Sequence, residues 1–173
     1  AFAASEKRPL LAGCERAQTM NQQTDAYLDS VSAAARAAGA VIKARLGRPQ
    51  TTEFKSLTDP VTEVDRQCEL LIREILTAAH PDIDFWGEEF GHRQDMGPLI
   101  WLVDPLDGTK NFVHGYPFVA VSIALVEAGR TRLGVVYDPL CDGVFHAVTG
   151  AGAFCNDEPL EGSRTEHLHE ALV

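Results

Sequence analysis

The stretch Trp101 to Gly115, WLVDPLDGTKNFVHG, limits the folds open to this chain more than any other. Apolar residues run straight into Asp104 and Asp107, which are separated by Pro105 and Leu106 and followed at once by Gly108 and Thr109. A strand that delivers two acids to the edge of a core needs something to compensate their charge, because unpaired buried charge is expensive. Pro105 has no N–H for a ladder, so the strand is expected to stop there and the chain to turn, which lets the two carboxylates converge. Gly108 and Thr109 read as the opening of a short helix, whose free N–H groups and positive dipole end favour an anion. Carboxylates beside an anion site repel the anion unless a cation lies between them. The pattern therefore asks for a hard divalent metal, and oxygen-only ligands favour magnesium over zinc. The competing reading is a plain turn, since Asp, Pro and Gly are the usual turn formers.

Two further acidic features bear on that choice. WGEEFG puts Glu88 and Glu89 at the end of another short strand, and DPVTEVD puts Asp65 on a helix one step from the apolar positions Val61, Val64 and Cys68. Read singly, the glutamates are a solvated strand end and Asp65 an exposed helix position. Read together, they supply more carboxylates to the same chemistry.

The hydrophobic period changes along the chain. Leu28, Val31, Ala35, Ala38 and Ile42 recur at helical spacing, with Thr24 as the expected cap and Gly47 just past the end. A polar connection, RPQTTEFKSLT, leads to Asp59-Pro60, read as a cap and first helical position, and a second helix follows through Val61, Val64, Cys68, Leu71 and Ile75 until His80-Pro81. Beyond it the period shortens to 2 in IDFWG, LIWLVD, FVAVSIALVEA, RLGVVYD, GVFHAVT and AFCN, separated by turn residues. Two long helices and a mostly antiparallel sheet make an α+β layer. Residues 1–19 show no clear period, so they are expected to be an N-terminal extension, either disordered or preceding a native start at Met20. The ending on Leu172-Val173 looks like the beginning of another element.

With 173 residues and 45% hydrophobic content, the chain can bury one sizeable core. Lys and Arg number 15 against 25 acidic residues, a net charge of −10, and no basic cluster offers a nucleic-acid footprint, so nucleic acid is not an expected partner. Cys14, Cys68, Cys141 and Cys155 form neither a C-x-x-C pair nor a zinc-finger spacing, and read as reduced thiols. No apolar run approaches the roughly 20 residues of a membrane span, and no signal-peptide pattern opens the chain. A cytoplasmic location without a membrane partner is the expectation. No P-loop, H-E-x-x-H or G-x-S-x-G is present, GAGAF lacks the third glycine of a dinucleotide fingerprint, and the His167/His169 pair reads as a solvated helix end.

DPVTEVD, GEE and WLVDPLDGTKNFVHG, in this order and spacing, resemble the inositol monophosphatase family of metal-dependent phosphatases; the resemblance runs from about Met20 to the end. It implies the first half of an α/β/α/β/α layered fold and magnesium-dependent hydrolysis of a small phosphate monoester, most simply inositol monophosphate. On that resemblance Glu88, Asp104 and the backbone carbonyl of Leu106 match the ligands of a first magnesium, and Asp104 and Asp107 match ligands of a second. Glu88 also matches the place of a third, weaker ion. Asp65 and Thr109 match the pair that orients and deprotonates the attacking water, while Asp107 and the N–H groups of Gly108 and Thr109 match the substrate and phosphate cradle. Lys55 resembles a lysine that precedes the helix motif in many members.

Three departures qualify the resemblance. Family members carry a later WD motif whose aspartate completes the second metal site, and nothing here matches it, so the sequence reads as an N-terminal part whose full-length form would be a homodimer. Phe90 stands where serine often follows GEE. Lys110 stands where inositol phosphatases often have threonine; DGTK also occurs in related bisphosphate nucleotidases, which with sugar bisphosphate phosphatases form the second reading. A non-catalytic binding or assembly module is the reading from another class.

Overall fold

The computed structural model describes residues 9–48, 52–56, 59–91 and 95–171, with side chains described throughout except at 9–21, 52 and 54–60. The first helix, α1 (Pro9–Arg45), is followed by a hairpin of β1 (Thr52–Ser56) and β2 (Asp59–Thr62), and then by the second long helix, α2 (Glu63–Ala79). The main sheet contains β3 (Asp84–Gly87), β4 (Leu99–Asp107), β5 (Ala120–Glu127), β6 (Arg130–Asp138), β7 (Gly143–Val148), β8 (Gly152–Cys155) and β9 (Glu158–Pro159), with the short helix α3 (Thr109–Val113) between β4 and β5. Its strands lie side by side in chain order. In this sheet, among the described residues, only β3 and β4 pair in parallel, the chain between Gly87 and Leu99 returning to the end of the sheet where β3 began; each later pair is antiparallel.

The two long helices cover one face. Ala34, Ala35 and Ala38 of α1 are fully buried, and their small side chains let α1 lie close to α2, where the Cys68 thiol comes within 3.6 Å of the Ala38 carbonyl. Val64, Cys68, Ile72 and Leu76 form the buried stripe of α2, which packs on β4, the strand of Trp101 and Val103, while α1 packs on β5 and β6, which carry the buried Ile123, Leu125, Leu133 and Val135. Strand alternation sends the other set outward, and Leu102, Val136 and Phe145 on that opposite face are each more than 40% exposed, at 45%, 42% and 43%. Among the described residues no helix is long and apolar enough to cross a membrane.

Four local expectations change. The helix expected from Thr24 begins at Pro9 and runs through Met20 without a break, so residues 9–19 are helical where no period was legible. Once a packed helix is nucleated, each further residue adds a hydrogen bond cheaply, and Pro9 occupies a first position that tolerates proline. Asp59-Pro60 does not cap α2. Those residues lie in β2, paired with a strand inside the supposed polar connection, and Thr62 is the cap. Pro105 does not end β4 either: the strand continues to Asp107 across a register shift between Asp104 and Asp107, a bulge of the kind that accommodates proline in a sheet. The fourth change is β9, two residues too short to carry a period. Residues 1–8, Leu172-Val173 and the side chains of Cys14 and Lys55 lie outside the described residues.

Candidate active site

The start of α2 is fixed by reciprocal capping. The Thr62 hydroxyl accepts the Val64 N–H at 3.2 Å, and Asp65 Oδ2 accepts the Thr62 N–H at 2.8 Å and its hydroxyl at 2.5 Å. These bonds hold Asp65, 1% exposed, with its other oxygen free to reach across to α3. There Asp65 Oδ1 accepts the Thr109 hydroxyl at 2.9 Å. The Leu106 carbonyl is the alternative acceptor for that hydroxyl, at 3.1 Å. One hydroxyl proton cannot serve both fully, so Thr109 has a donor direction set by protein and lone pairs left for a molecule in front of it. Asp65, an exposed helix position when read singly, is a buried carboxylate hydrogen-bonded to Thr109.

In front of Thr109 lies a cleft of about 360 Å³, lined by Glu88, Asp104, Leu106, Asp107, Gly108, Thr109, Lys110 and Asn111. The sequence-derived site residues therefore converge, apart from Asp65, which touches the cleft only through Thr109. The bulge turns Asp104 and Asp107 to a common side, and Asp104 Oδ1 accepts the Leu106 N–H at 3.2 Å, closing a turn over Pro105. Burial, with Glu88 and then Asp107 close by, pushes the Asp104 carboxyl up to about 7, against the smaller opposing effect of the Leu106 N–H. Glu88 is the neighbouring side chain that acts most strongly on Asp104.

That raised affinity for a proton tests the donor set against a metal. A cluster that prefers a proton near neutrality lacks positive charge, and a divalent cation supplies it. The donors are carboxylates and one carbonyl, all oxygen, which suits magnesium. Among the described residues no three His, Cys, Asp or Glu side chains form a ready-made cage, so the carbonyl of Leu106 and water would complete the coordination.

Gly108 joins the strand to α3 with φ +89°, and a Cβ there would lie 2.9 Å from the Phe118 carbonyl. Neither condition suits another residue. Gly108→Ala is expected to destabilise the chain by roughly 1–2 kcal/mol from the left-handed backbone alone, read as a lowered urea midpoint; an unchanged midpoint would contradict this backbone geometry. Asn111 Nδ2 donates to the same Phe118 carbonyl at 2.8 Å, and Phe112, 2% exposed, anchors α3 in the core.

Three contributors were not singled out from sequence. Thr62 was legible as the first residue of a T-x-x-D capping pattern. Asn111 had no signal beyond its place beside the motif. Glu69 had a clear one: it lies four residues after Asp65 and three before Ile72 on the buried stripe, where a glutamate is out of place unless something binds it.

The family model described as the Inositol monophosphatase family matches residues 23–173. The chain belongs to that family. Inositol monophosphatase 3 of Solanum lycopersicum is 40% identical over 157 residues, which are 88% of this chain and 59% of that protein. The Aquifex aeolicus protein named fructose-1,6-bisphosphatase/inositol-1-monophosphatase is 36% identical over 149 residues, 85% of this chain and 56% of the relative. Among solved structures, the extragenic suppressor protein suhB from Bartonella henselae superposes with a TM-score of 0.77 at 38% identity, covering 81% of this chain and 55% of that one. The chain thus spans a little over half the length of these relatives. The α+β layer read from the sequence is the fold of the matched part of the inositol monophosphatases.

Proposed function

We propose that this chain carries the metal- and phosphate-binding half of a magnesium-dependent phosphomonoesterase acting on a small phosphorylated polyol, most simply an inositol monophosphate. The observation that supports this reading best is the Thr109–Asp65 hydrogen bond of 2.9 Å at the back of a cleft fronted by Glu88, Asp104 and Asp107. Glu88, Asp104 and the Leu106 carbonyl would hold a first magnesium, with Asp104 and Asp107 contributing to a second and Glu88 to a weaker third. Magnesium, when bound, supplies positive charge to the phosphate oxygens and makes water a stronger acid.

The remaining work falls to side chains and backbone. Thr109 donates its proton to Asp65 and accepts a hydrogen bond from water, which turns a water lone pair toward phosphorus. Asp65, buried and already committed to the helix cap, keeps that direction fixed and receives the proton through Thr109. The N–H groups of Gly108 and Thr109 face the phosphate at the opening of α3. Asp107 remains exposed at the rim, where it meets the substrate.

A sugar bisphosphate is the second reading, favoured by the relative named for both fructose bisphosphate and inositol monophosphate. We further propose a cytoplasmic enzyme that pairs as a homodimer at full length, with neither nucleic acid nor membrane as partner. The test extends this chain to the length of its relatives and measures phosphate release from inositol monophosphate and fructose 1,6-bisphosphate, with magnesium and with chelator. Release independent of magnesium would sink the proposal, and no release from any phosphate monoester would leave a binding module instead.

Thr109→Ala separates the roles of that residue. It keeps the backbone N–H and deletes the hydroxyl, so turnover should fall by about the 10²–10⁴-fold of general-base assistance while the Michaelis constant changes little. A change confined to the Michaelis constant would remove Thr109 from the proton relay.

A further inference from the structure

Glu69 is a glutamate with no exposed surface in the middle of α2, and the catalytic reading leaves it without a task. Its carboxylate is not idle. Oε2 accepts the Glu89 N–H at 2.6 Å, and Oε1 accepts the Phe90 N–H at 3.2 Å. Arg73, one turn further along α2, donates to Oε1 at 3.1 Å and lays its guanidinium 4.5 Å from the centre of the Phe85 ring on β3. The carboxylate therefore binds the two peptide groups that follow Glu88, and its counter-ion is braced on the strand that leads to Glu88.

The backbone before Glu88 has been shaped around the same group. A Cβ at Gly87 would stand 2.0 Å from Glu69 Oε1, so no side chain fits at 87 while Glu69 keeps this position. On its other side, Glu88 is tied to β4 by its own N–H, which donates to the Val103 carbonyl at 3.1 Å. The main chain of 87–90 is thus clamped between β4 and a buried carboxylate on α2. A charged acceptor bound to two N–H groups is roughly twice as strong as a neutral one, and a single buried carboxylate can fix a loop in this way.

We propose that Glu69 is a positioning residue, which fixes the Glu88–Phe90 turn so that the Glu88 carboxylate faces Asp104 across the metal site. This rests on the metal reading given above. A turn held only by its solvated ends would let Glu88 swing away from Asp104 when no cation is present, since two carboxylates repel. The bond network on α2 removes that freedom and makes the pair ready for magnesium.

The experiment measures magnesium affinity of the 173-residue chain at low micromolar concentration, by competition against terbium luminescence sensitised by Trp86, two residues from Glu88. Glu88→Gln serves as the reference for loss of a ligand. Glu69→Gln keeps the volume but offers an amide donor where two N–H groups need acceptors, and it should weaken magnesium by about 10–100-fold, the range for partners that orient a metal ligand. A second variant guards against simple unfolding. Glu69→Met with Arg73→Met removes both partners of the ion pair, so neither charge is left without its counter-ion, and its melt is recorded beside its affinity. It should show a cooperative melt well above the assay temperature and yet bind magnesium as poorly as Glu69→Gln, which loss of folding would not produce. Wild-type affinity in either Glu69 variant, with binding lost in Glu88→Gln, would overturn the positioning role alone. Absence of saturable binding by the unaltered chain, or binding untouched by Glu88→Gln, would overturn the metal reading and the positioning role with it.

Discussion

Asp104→Asn is expected to abolish magnesium binding and, at the same time, to make the metal-free chain more stable at pH 8. The two outcomes share one cause. Asp104 is held among Glu88, Asp107 and the core, and its carboxyl is pushed up to about 7, whereas the unfolded chain releases that proton near the ordinary aspartate value of about 3.9. Between those values the folded chain binds the extra proton, so stability of the metal-free protein falls as pH rises from about 4 to about 7 and levels off above. Asparagine keeps the shape and removes the charge, and that part of the slope disappears. Magnesium should work in the opposite sense, binding only the folded, ionised cluster and restoring stability above pH 7 with the logarithm of its concentration once that exceeds the dissociation constant. The loss of affinity in Asp104→Asn should exceed the ~100-fold upper end seen when only an orienting partner is changed. Thermal melts of both proteins from pH 5 to 8, with and without magnesium, check this. A variant less stable than the parent at pH 8 without metal, or one that magnesium still stabilises, would show that Asp104 is not the centre of an uncompensated cluster.

The same electrostatic tension explains which parts of the molecule were legible in the sequence. The strands announced themselves because alternating burial leaves a period of 2, and β4 to β7 lie where that period was strongest. Glu88, Asp104, Asp107 and Thr109 were legible because carboxylates beside apolar strand ends are hard to place in any bland structure, and they do line one cleft. What escaped was structure made by partners distant in sequence. Asp59 and Pro60 are good helix-start residues locally, but pairing with β1 outweighs that preference and moves the start to Thr62. Pro105 should end a strand, yet a bulge spares the ladder the missing donor and the strand continues. Residues 9–19 carry no apolar period, since propagation from a packed helix needs none. Asp65 is the most instructive case. Its spacing gave an ambiguous position beside the stripe, and only the Thr62 cap and the Thr109 hydroxyl together explain why it is buried. Glu69 lay plainly on the stripe, and its two main-chain partners sit 20 and 21 residues away in a turn no periodicity describes.

The 173-residue chain by itself should bind magnesium weakly, hydrolyse inositol monophosphate and adenosine bisphosphate at no more than trace rates, and self-associate. The reasoning begins with the open face of the sheet. Leu102, Val136 and Phe145 are exposed there, and a second hollow of about 430 Å³, lined by Phe118, Val119, Val136 and Phe145, adjoins the acidic cleft through Asp107, Gly108 and Asn111. Water reaches the carboxylates from that side, which screens the attraction a cation would feel in a closed site and lets solvent compete with the phosphate. The second metal position is expected to take a further aspartate, and none of the described residues offers one in the cleft beyond Asp104 and Asp107. An apolar face next to such a site also gives two copies of the chain a reason to meet. Light scattering of the purified chain should therefore show growth in size with concentration. Assays with both substrates in millimolar magnesium should give rates far below the ordinary range of about 1–10³ per second. A monodisperse monomer turning over either substrate within that range would mean that the cleft described by Glu88, Asp104, Asp107 and Thr109 is catalytically sufficient, and that the exposed face of the sheet has no part in closing it.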